Sequence, residues 1–197
     1  KQNSIKHYLM RHEQAAVHAA EGYARVTGKC GVALVTSGPG ATNVVTGLAN
    51  AYLDNYPLVV ITGQVTSNLL HKDAFQEVDI IDITKSCTKK GFQVQNVKEL
   101  QLPVKEAFET AMSGRKGPVV VDITKNVFSE EAEYIDIGAI KEKVFSQVDV
   151  SDAIAAIKLA ERPIFITGGG VVQSGATNEV LEFVKSLNIP VVSTMMG

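Results

Sequence analysis

Three stretches of the sequence are rich in apolar residues and lack the alternation of a strand with one face in water. They are "GVALVTS" at residues 31–37, "PLVVITG" at 57–63 and "GPVVVDIT" at 117–124. Such strands are typical of parallel sheets that helices cover on both faces. Segments with helical periodicity lie between them, so strand and helix alternate along the chain. The sequence therefore predicts an α/β domain with a largely parallel sheet.

A helix is expected to begin near Glu13. Alanines recur at helical spacing from Ala15 to Ala24, and Gly28 is suited to end the helix. The apolar run from Ile5 to Met10 predicts a strand and turn before it. Further along, the pattern predicts a loop and helix over 38–55, an irregular stretch over 71–84, a strand over 91–96 and a helix over 97–112.

The periodic pattern is lost between residues 125 and 150, where the chain is acidic at first, as expected of a linker. We therefore place a first domain at residues 1–135, a linker at 136–149 and a second α/β unit at 150–197. In that unit the pattern predicts helices at 152–160 and 176–187 and strands within "PIFITGGG" and "PVVSTMM". Two strands and two helices are too few for an independent core, so we expect this domain to be truncated.

Charge and composition argue against several functions. The chain has 19 basic and 21 acidic residues and a net charge of -2, which does not indicate a nucleic-acid-binding protein. Its apolar runs are shorter than the roughly 20 residues that span a membrane, so a cytoplasmic protein without a membrane partner is expected. Its 2 cysteines and 4 histidines are scattered, and no metal ligand is predicted.

Two glycine-rich stretches could approach a ligand. "TSGPGATN" at 36–43 and "TGGGVVQSG" at 167–175 each follow a predicted strand and open a helix, where backbone N–H groups can face an anion. The first lacks the lysine of a P-loop and the spacing of a dinucleotide fingerprint. Tight strand-to-helix turns explain the glycines equally well, and a nucleotide-binding module without catalysis is an alternative function.

Glu13 stands before a helix built from small residues, which must pack closely against a neighbour. This position predicts a site of low dielectric, a raised pKa and a carboxyl group that can hold or relay a proton. A simple interaction with the helix dipole is the alternative. In "DAFQE", residues 73–77, Phe75 and Gln76 fall in an irregular loop of the kind that carries binding residues, although a buried anchor also explains Phe75.

Four motifs follow one another along the chain. They are "RHEQAAVHAAEGYARVTGK", "TSGPGATNVVTGLANAYLDNYPLVVITGQV", "DAFQE" and "SGRKGPVVVDITK". In order and spacing they resemble the pyrimidine-binding domain of thiamine diphosphate-dependent enzymes, most closely that of the large catalytic subunits of the acetolactate synthase (acetohydroxyacid synthase) family. The resemblance is strong over residues 5–128 and looser over 150–197, which resembles the start of a Rossmann-like, FAD-associated middle domain.

The resemblance implies condensation of two pyruvates, or of pyruvate and 2-ketobutyrate, with release of CO2, as the first common step of branched-chain amino acid biosynthesis. It implies thiamine diphosphate, Mg2+ and a structural FAD as cofactors. The domain that holds Mg2+ and the diphosphate is missing from this chain, so the chain alone is expected to be inactive. The implied partners are small 2-ketoacids, a second subunit in a homodimer or homotetramer with the active site at the interface, and a regulatory small subunit.

The resemblance also implies roles for single residues. Glu13 hydrogen-bonds N1′ of the aminopyrimidine, Gln76 donates to substrate oxygens, and Phe75 lies beside the reacting centre. Lys125 matches a lysine near the substrate channel, unless it is only a solvated charge at a strand end. Cofactor-binding roles are implied for Glu13, Gly38, Pro39, Gly40 and Asn43 and, toward FAD, for Arg115, Gly168, Gly169 and Gly170.

Some features depart from the family or leave alternatives. His71 and Lys72 stand where many relatives have Gly-Thr, which leaves substrate preference open. Another 2-ketoacid decarboxylase or carboligase of the same fold, such as glyoxylate carboligase or sulfoacetaldehyde acetyltransferase, is an alternative. Glyoxylate carboligase is disfavoured because it dispenses with the glutamate that Glu13 matches.

Overall fold

A computed structural model describes residues 5–140 and 148–197 of the protein. The chain forms two compact units, Lys1–Lys143 and Val144–Gly197, and each is described by itself. The helices are α1 (Glu13–Thr27), α2 (Pro39–Thr42), α3 (Val45–Asp54), α4 (Ile80–Thr84), α5 (Gln101–Met112), α6 (Ser151–Leu159), α7 (Gly169–Ser174) and α8 (Thr177–Leu187). The strands are β1 (Gly31–Val35), β2 (Leu58–Gln64), β3 (Lys90–Val94), β4 (Pro118–Thr124), β5 (Phe165–Thr167) and β6 (Val191–Ser193).

The first unit contains one parallel sheet with the strand order β1-β2-β4-β3. Its register pairs Leu58 with both Gly31 and Pro118, and Val119 with Lys90. The predicted fold class, α/β with a parallel sheet, is confirmed. Because all four strands run in the same direction, their carboxyl ends meet at one edge of the sheet, where loops can form a site.

Two apolar clusters cover opposite faces of this sheet, because neighbouring residues of a strand point to opposite sides. Val60 and Val120 belong to one cluster, which includes residues of α1 and α3, while Val119 and Val121 belong to the other, which includes residues of α5. Every residue of β4 is buried. The prediction of two covered faces holds for β2 and β4 and is wrong for β1, whose Val32 and Leu34 are exposed.

Helix α1 begins at Glu13 and ends before Gly28, which has a φ of 71°, so both predicted limits are confirmed. The His12 ring nitrogen Nδ1 caps it by accepting a hydrogen bond from the backbone N–H of Gln14 at 3.1 Å. The helix lies directly on β1, since a Cβ atom on Gly31 would come within 2.1 Å of the Ala20 carbonyl oxygen. The small side chains of the helix permit this close approach.

A buried carboxylate, Glu21, joins α1 to α3, a contact that no motif predicts. Glu21 accepts hydrogen bonds from Asn50 Nδ2 at 2.7 and 2.8 Å and from Arg25 Nε at 3.0 Å. Arg25 also forms an ion pair with Asp54 at the end of α3. The helix that begins with Glu13 is therefore held on both the sheet and α3.

Several predicted elements need correction. Ile5 to Met10 form no strand, since they are exposed and pair with none of the described strands. The helix expected after the glycine loop is divided into α2 and α3, and the stretch expected to be irregular contains α4. The second glycine-rich stretch forms helix α7 itself.

In the second unit, the predicted helices and strands correspond to α6, α8, β5 and β6, and the two strands pair in parallel. Phe165 and Phe183 are in contact, with ring centroids 5.9 Å apart. Among residues 148–197, Val184 is the one buried apolar side chain. The proposed linker at 136–149 falls partly outside the described residues, and the domain limits of 135 and 150 stay predictions.

Candidate functional site

The Glu13 carboxylate lies against the glycine-rich turn that follows β1. Its Oε2 atom accepts a hydrogen bond from Asn43 Nδ2 at 3.0 Å. A Cβ atom on Gly40 would lie 3.5 Å from its Oε1 atom. The fold thus brings together two of the sequence motifs, the head of α1 and the turn that opens α2.

Glu13 is half-exposed and ionised more readily than an ordinary glutamate. Its own backbone N–H group, and then Asn43, stabilise the carboxylate and lower its pKa from the usual 4.5. The predicted raised pKa is therefore wrong for this chain. The small residues of α1 do pack closely, but they bury the middle of the helix and leave its first residue in contact with water.

The loop at 71–77 packs against the same turn from another direction. Gly38 has a φ of 58°, and a Cβ atom added there would lie 2.9 Å from the Gln76 carbonyl oxygen and 3.0 Å from its Cβ atom. A Cβ atom on Gly40 would lie only 2.6 Å from Thr36 Cγ2. Packing alone therefore requires both glycines, in agreement with the tight-turn interpretation. The same packing places Glu13 and Gln76 around one turn, with Pro39 exposed between the glycines.

Phe75 and Gln76 are both exposed in this loop. Phe75 has 89 % of its surface accessible, so its interpretation as a buried anchor is wrong. Gln76 adopts a left-handed conformation with a φ of 65°. Backbone of this kind is costly for a residue with a Cβ atom and persists where the surrounding structure enforces it.

Glu77 is a member of the site that the sequence did not reveal. Its carboxylate accepts hydrogen bonds from the backbone N–H groups of His71, Lys72 and Ala74, the last two at 3.2 Å. The three N–H groups lower the pKa of Glu77, and His71 makes the largest contribution. Acceptance of backbone hydrogen bonds within an irregular loop produces no periodic pattern, so the sequence contained no usable signal for this role.

A buried polar network lies behind the loop at the carboxyl edge of the sheet. Asp122 accepts hydrogen bonds from Thr62 Oγ1 at 2.6 Å, Gln64 Nε2 at 3.1 Å and Gln93 Nε2 at 3.4 Å. Burial raises the pKa of the Asp122 carboxyl group, although these donors oppose the effect. Gln64 Nε2 also donates to the Val78 carbonyl oxygen at 2.7 Å, so the network reaches the end of the loop.

Lys125 lies at this edge, directly after β4. Its backbone N–H donates to the Gln64 carbonyl oxygen at 3.0 Å, and its side chain is exposed. Within residues 5–140 no hydrogen bond joins Lys125 to Glu13 or Gln76. Its proposed place near the substrate and the alternative of a solvated charge both stay open.

Arg115 lies at the opposite edge, before the first residue of β4. It is exposed, it donates a hydrogen bond to Asn55 Oδ1, and its guanidinium carbon is 5.7 Å from the centroid of the Tyr52 ring. The seven residues of β4 place the two edges about 20 Å apart. The structure therefore separates Arg115 from the group around Glu13, and the role of Arg115 toward FAD stays a prediction.

In the second unit Gly168 connects β5 to α7, and Gly169 and Gly170 are the first two residues of α7. A Cβ atom on Gly169 would lie 3.1 Å from the Met196 carbonyl oxygen, so the chain after β6 approaches this turn closely. A Cβ atom on Gly170 would meet no atom within 4 Å. The packing explains Gly169, and the predicted flavin contact of the three glycines stays a prediction.

Within 5–140 and 148–197, no group of three His, Cys, Asp or Glu side chains is arranged to hold a metal ion. None of the helices in these ranges is long and apolar enough to cross a membrane.

Comparison with known proteins identifies the family. Residues 1–83 match the family described as thiamine pyrophosphate enzyme, N-terminal TPP binding domain, and residues 150–197 match that described as thiamine pyrophosphate enzyme, central domain. The chain belongs to the thiamine pyrophosphate enzymes. The resemblance drawn from the four motifs is confirmed, and the turn beside Glu13 lies in the TPP-binding domain of this family.

Individual thiamine pyrophosphate enzymes are similar along almost the whole chain. The acetolactate synthase of Arthrospira platensis is 48 % identical over 201 aligned residues, the acetolactate synthase large subunit of Haemophilus influenzae 44 %, and the isozyme 3 large subunit of Escherichia coli K12 42 %. Each alignment covers 98 % of this chain and 35 % of the relative. The chain thus spans about a third of the length of these curated relatives.

Proposed function

We propose that the protein containing this chain condenses two molecules of pyruvate to 2-acetolactate with release of CO2, using thiamine diphosphate. With 2-ketobutyrate as the acceptor, the product is 2-aceto-2-hydroxybutyrate, and the reaction serves branched-chain amino acid biosynthesis. The observation that carries the proposal is the Glu13 carboxylate on a glycine turn whose other side holds Gln76. The similarity to acetolactate synthases over 98 % of the chain supports it.

The residues around Glu13 fit an aminopyrimidine. The carboxylate is reachable from solvent, and a Cβ atom on Gly40 would lie 3.5 Å from its Oε1 atom, so the missing side chain leaves room beside the carboxylate. A carboxylate accepts a hydrogen bond from a protonated ring nitrogen and can exchange that proton, which an amide cannot do. Thiamine diphosphate, when bound, supplies the electron sink for decarboxylation and carbon–carbon bond formation.

In this proposal Glu13 holds a proton at N1′ of the pyrimidine. The lowered pKa favours the ionised form of Glu13 in the free chain, in which both carboxylate oxygens can accept hydrogen bonds. Removal of water around the carboxylate would raise its pKa and ease transfer of the proton. Asn43, which donates to Oε2, orients the carboxylate.

Gln76 and Phe75 are proposed to act on the substrate. The Gln76 amide donates a hydrogen bond to a 2-ketoacid oxygen and orients it for attack. The exposed Phe75 ring covers the reacting carbon and excludes water. Lys125 is proposed to attract the carboxylate group of the incoming 2-ketoacid from its place at the same edge of the sheet.

The remaining partners follow from the family. FAD is proposed to have a structural role, and the residues proposed to bind it are Arg115 in the first unit and, considered separately, Gly168, Gly169 and Gly170 in the second. Mg2+ and the diphosphate group are proposed to bind residues outside this chain. We propose a homodimer or homotetramer with the active site between subunits, in the cytoplasm. Because two relatives are named large subunits, a regulatory small subunit is a further proposed partner.

The test is the substitution Glu13→Gln in the complete protein, assayed for acetolactate with thiamine diphosphate, Mg2+ and FAD. Loss of the proton-exchanging group should lower kcat at least about 100-fold. The matched control is Glu99→Gln, which removes an exposed carboxylate from the same unit and should retain wild-type turnover. Near-normal acetolactate formation by Glu13→Gln would contradict the proposed role.

The substrate is tested separately on the wild-type protein. Pyruvate alone, pyruvate with 2-ketobutyrate, glyoxylate and sulfoacetaldehyde distinguish acetolactate synthase from the other carboligases of this fold. The proposal expects product from the first two only. Binding of a nucleotide without turnover of any of these compounds would instead support a binding module without catalysis.

A further inference from the structure

The Glu77 carboxylate closes the loop at 71–77 on itself. One oxygen accepts the N–H of His71, and the other accepts those of Lys72 and Ala74, both at 3.2 Å. Hydrogen bonds to an ionised acceptor are stronger than those between neutral groups. A single side chain therefore satisfies three backbone donors of a loop that belongs to no helix or strand.

The loop contains three non-glycine residues in the left-handed region. They are His71 with a φ of 60°, Asp73 with 51° and Gln76 with 65°. Residues with a Cβ atom avoid this region, so other interactions must hold the loop in place. The bonds to Glu77 span two of these three residues, and Gln76 is its immediate neighbour in the chain.

The conformation of Gln76 is also fixed from both sides. Its backbone packs on Gly38, where an added Cβ atom would come within 2.9 Å of the Gln76 carbonyl oxygen. On the other side, the Val78 carbonyl oxygen accepts a hydrogen bond from the buried Gln64 at 2.7 Å. Glu77 lies between these two anchors and determines how the loop before them is folded.

We propose that Glu77 is a positioning residue for the reaction, whose carboxylate holds the 71–77 loop in the conformation that presents Phe75 and Gln76 to the 2-ketoacid. The proposal rests on the proposed function. Glu77 acts through the loop backbone and does not itself touch the substrate. Its role requires the ionised form, and the hydrogen bonds from His71, Ala74 and Lys72 favour that form by lowering its pKa.

The arrangement requires a carboxylate of this length. Glutamine offers one acceptor oxygen, and its NH2 group would face at least one backbone N–H donor. Aspartate is shorter by one methylene and cannot reach the three donors from the same backbone position. The substitution Glu77→Gln therefore preserves size and removes the interaction, which makes it the informative variant.

The matched control is Asp73→Asn. It removes one negative charge from the same exposed loop, and asparagine tolerates the left-handed conformation that Asp73 adopts. No hydrogen bond of the Asp73 carboxylate to the described residues contributes to the loop. Effects of charge alone should therefore appear equally in the two variants, whereas effects of the three hydrogen bonds should appear only in Glu77→Gln.

The first measurement is amide hydrogen exchange of the complete protein without substrate. In Glu77→Gln, exchange at the amides of His71, Lys72 and Ala74 should accelerate about tenfold or more, while β2 and β4 remain protected. Asp73→Asn should exchange like the wild type. Unchanged protection in Glu77→Gln, or equal loss in both variants, would overturn the proposal.

The second measurement is steady-state kinetics with pyruvate. Because Gln76 would lose its fixed position, kcat/KM should fall about 100-fold in Glu77→Gln and remain at the wild-type value in Asp73→Asn. Faster exchange with unchanged kinetics would overturn the positioning role. If the wild type forms no product from any 2-ketoacid, the proposed function fails and the positioning role fails with it, whereas the exchange data still report whether Glu77 holds the loop.

Discussion

Gly38 and Gln76 are in direct backbone contact, although 38 positions of the sequence separate them. A methyl group on Gly38 would lie 2.9 Å from the Gln76 carbonyl oxygen and 3.1 Å from its Cα atom. The turn that opens α2 and the loop that carries Phe75 therefore fit together only while position 38 has no side chain.

Gly38→Ala should destabilise the protein by about 1–3 kcal/mol more than Gly28→Ala does. Gly28 has left-handed backbone with a φ of 71° and a ψ of 0°, whereas Gly38 has a φ of 58° and a ψ of -121°, which residues with a Cβ atom avoid more strongly. A Cβ atom on Gly28 meets open space, whereas one on Gly38 meets Gln76. Urea denaturation of the two variants measures the difference, and equal losses would contradict the contact.

Asn43→Ala should raise the pKa of Glu13 without restoring its ordinary value. Asn43 donates to Glu13 Oε2, and its contribution is second to that of the backbone N–H of Glu13, which the substitution leaves in place. NMR titration of the Glu13 side-chain carboxyl carbon measures the change. The control Thr46→Ala alters an exposed residue of α3 and should leave the pKa unchanged. The same pKa in Asn43→Ala and wild type would show that the hydrogen bond does not form.

His71→Gly should increase the free energy of unfolding by about 0.5–1 kcal/mol. Relief of the left-handed backbone at position 71 is worth about 1–2 kcal/mol, and the greater freedom of glycine in the unfolded chain offsets about half of it. Ala74→Gly, in the same loop but without a positive φ, should instead be destabilising. Thermal denaturation measures whether each substitution raises or lowers stability. A loss of stability in His71→Gly would contradict backbone strain at His71.

Asp122→Asn should change how stability depends on pH. Burial raises the pKa of Asp122 above its usual 3.8 in the folded state, so protonation favours folding. The contribution of Asp122 is then fully present below about pH 3.8 and decreases as the pH rises through the raised pKa. The difference in unfolding free energy between wild type and Asp122→Asn should follow this trend. A difference that is constant with pH would contradict the shift.

Much of the fold was predictable because apolar runs and helical periodicity indicate which residues of a strand or helix are buried. The predicted strand at 57–63 is observed as Leu58–Gln64, and Gly28 ends α1 as expected. The break between α2 and α3 was not predictable, since neither proline nor glycine marks Asn43 or Val44. Tertiary packing decides such a break, and local propensity does not report it.

The site was predictable in its parts but not in its electrostatics. The motifs contain Glu13, the glycine turn and Gln76, which the structure brings together, while their roles stay predictions. The motifs did not show that the first turn of α1 remains in contact with water. The predicted rise of the Glu13 pKa is therefore wrong, since the pKa is lowered. Glu77 accepts hydrogen bonds from three backbone N–H groups of an irregular loop, and Asp122 accepts them from side chains of two other strands, so no spacing in the sequence indicates either role.

The position of β4 in the sheet also constrains the order in which the first unit can form during synthesis. This strand is the last of the four to leave the ribosome, yet it is the neighbour of both β2 and β3. Until residues 118–124 emerge, β3 has no pairing partner in the sheet. Both apolar clusters also lack the side chains that β4 contributes to them. The nascent chain therefore contains Glu13, Gly38 and Gln76 before the sheet that aligns them is complete. During this interval the valines of the unfinished core are exposed and can bind chaperones.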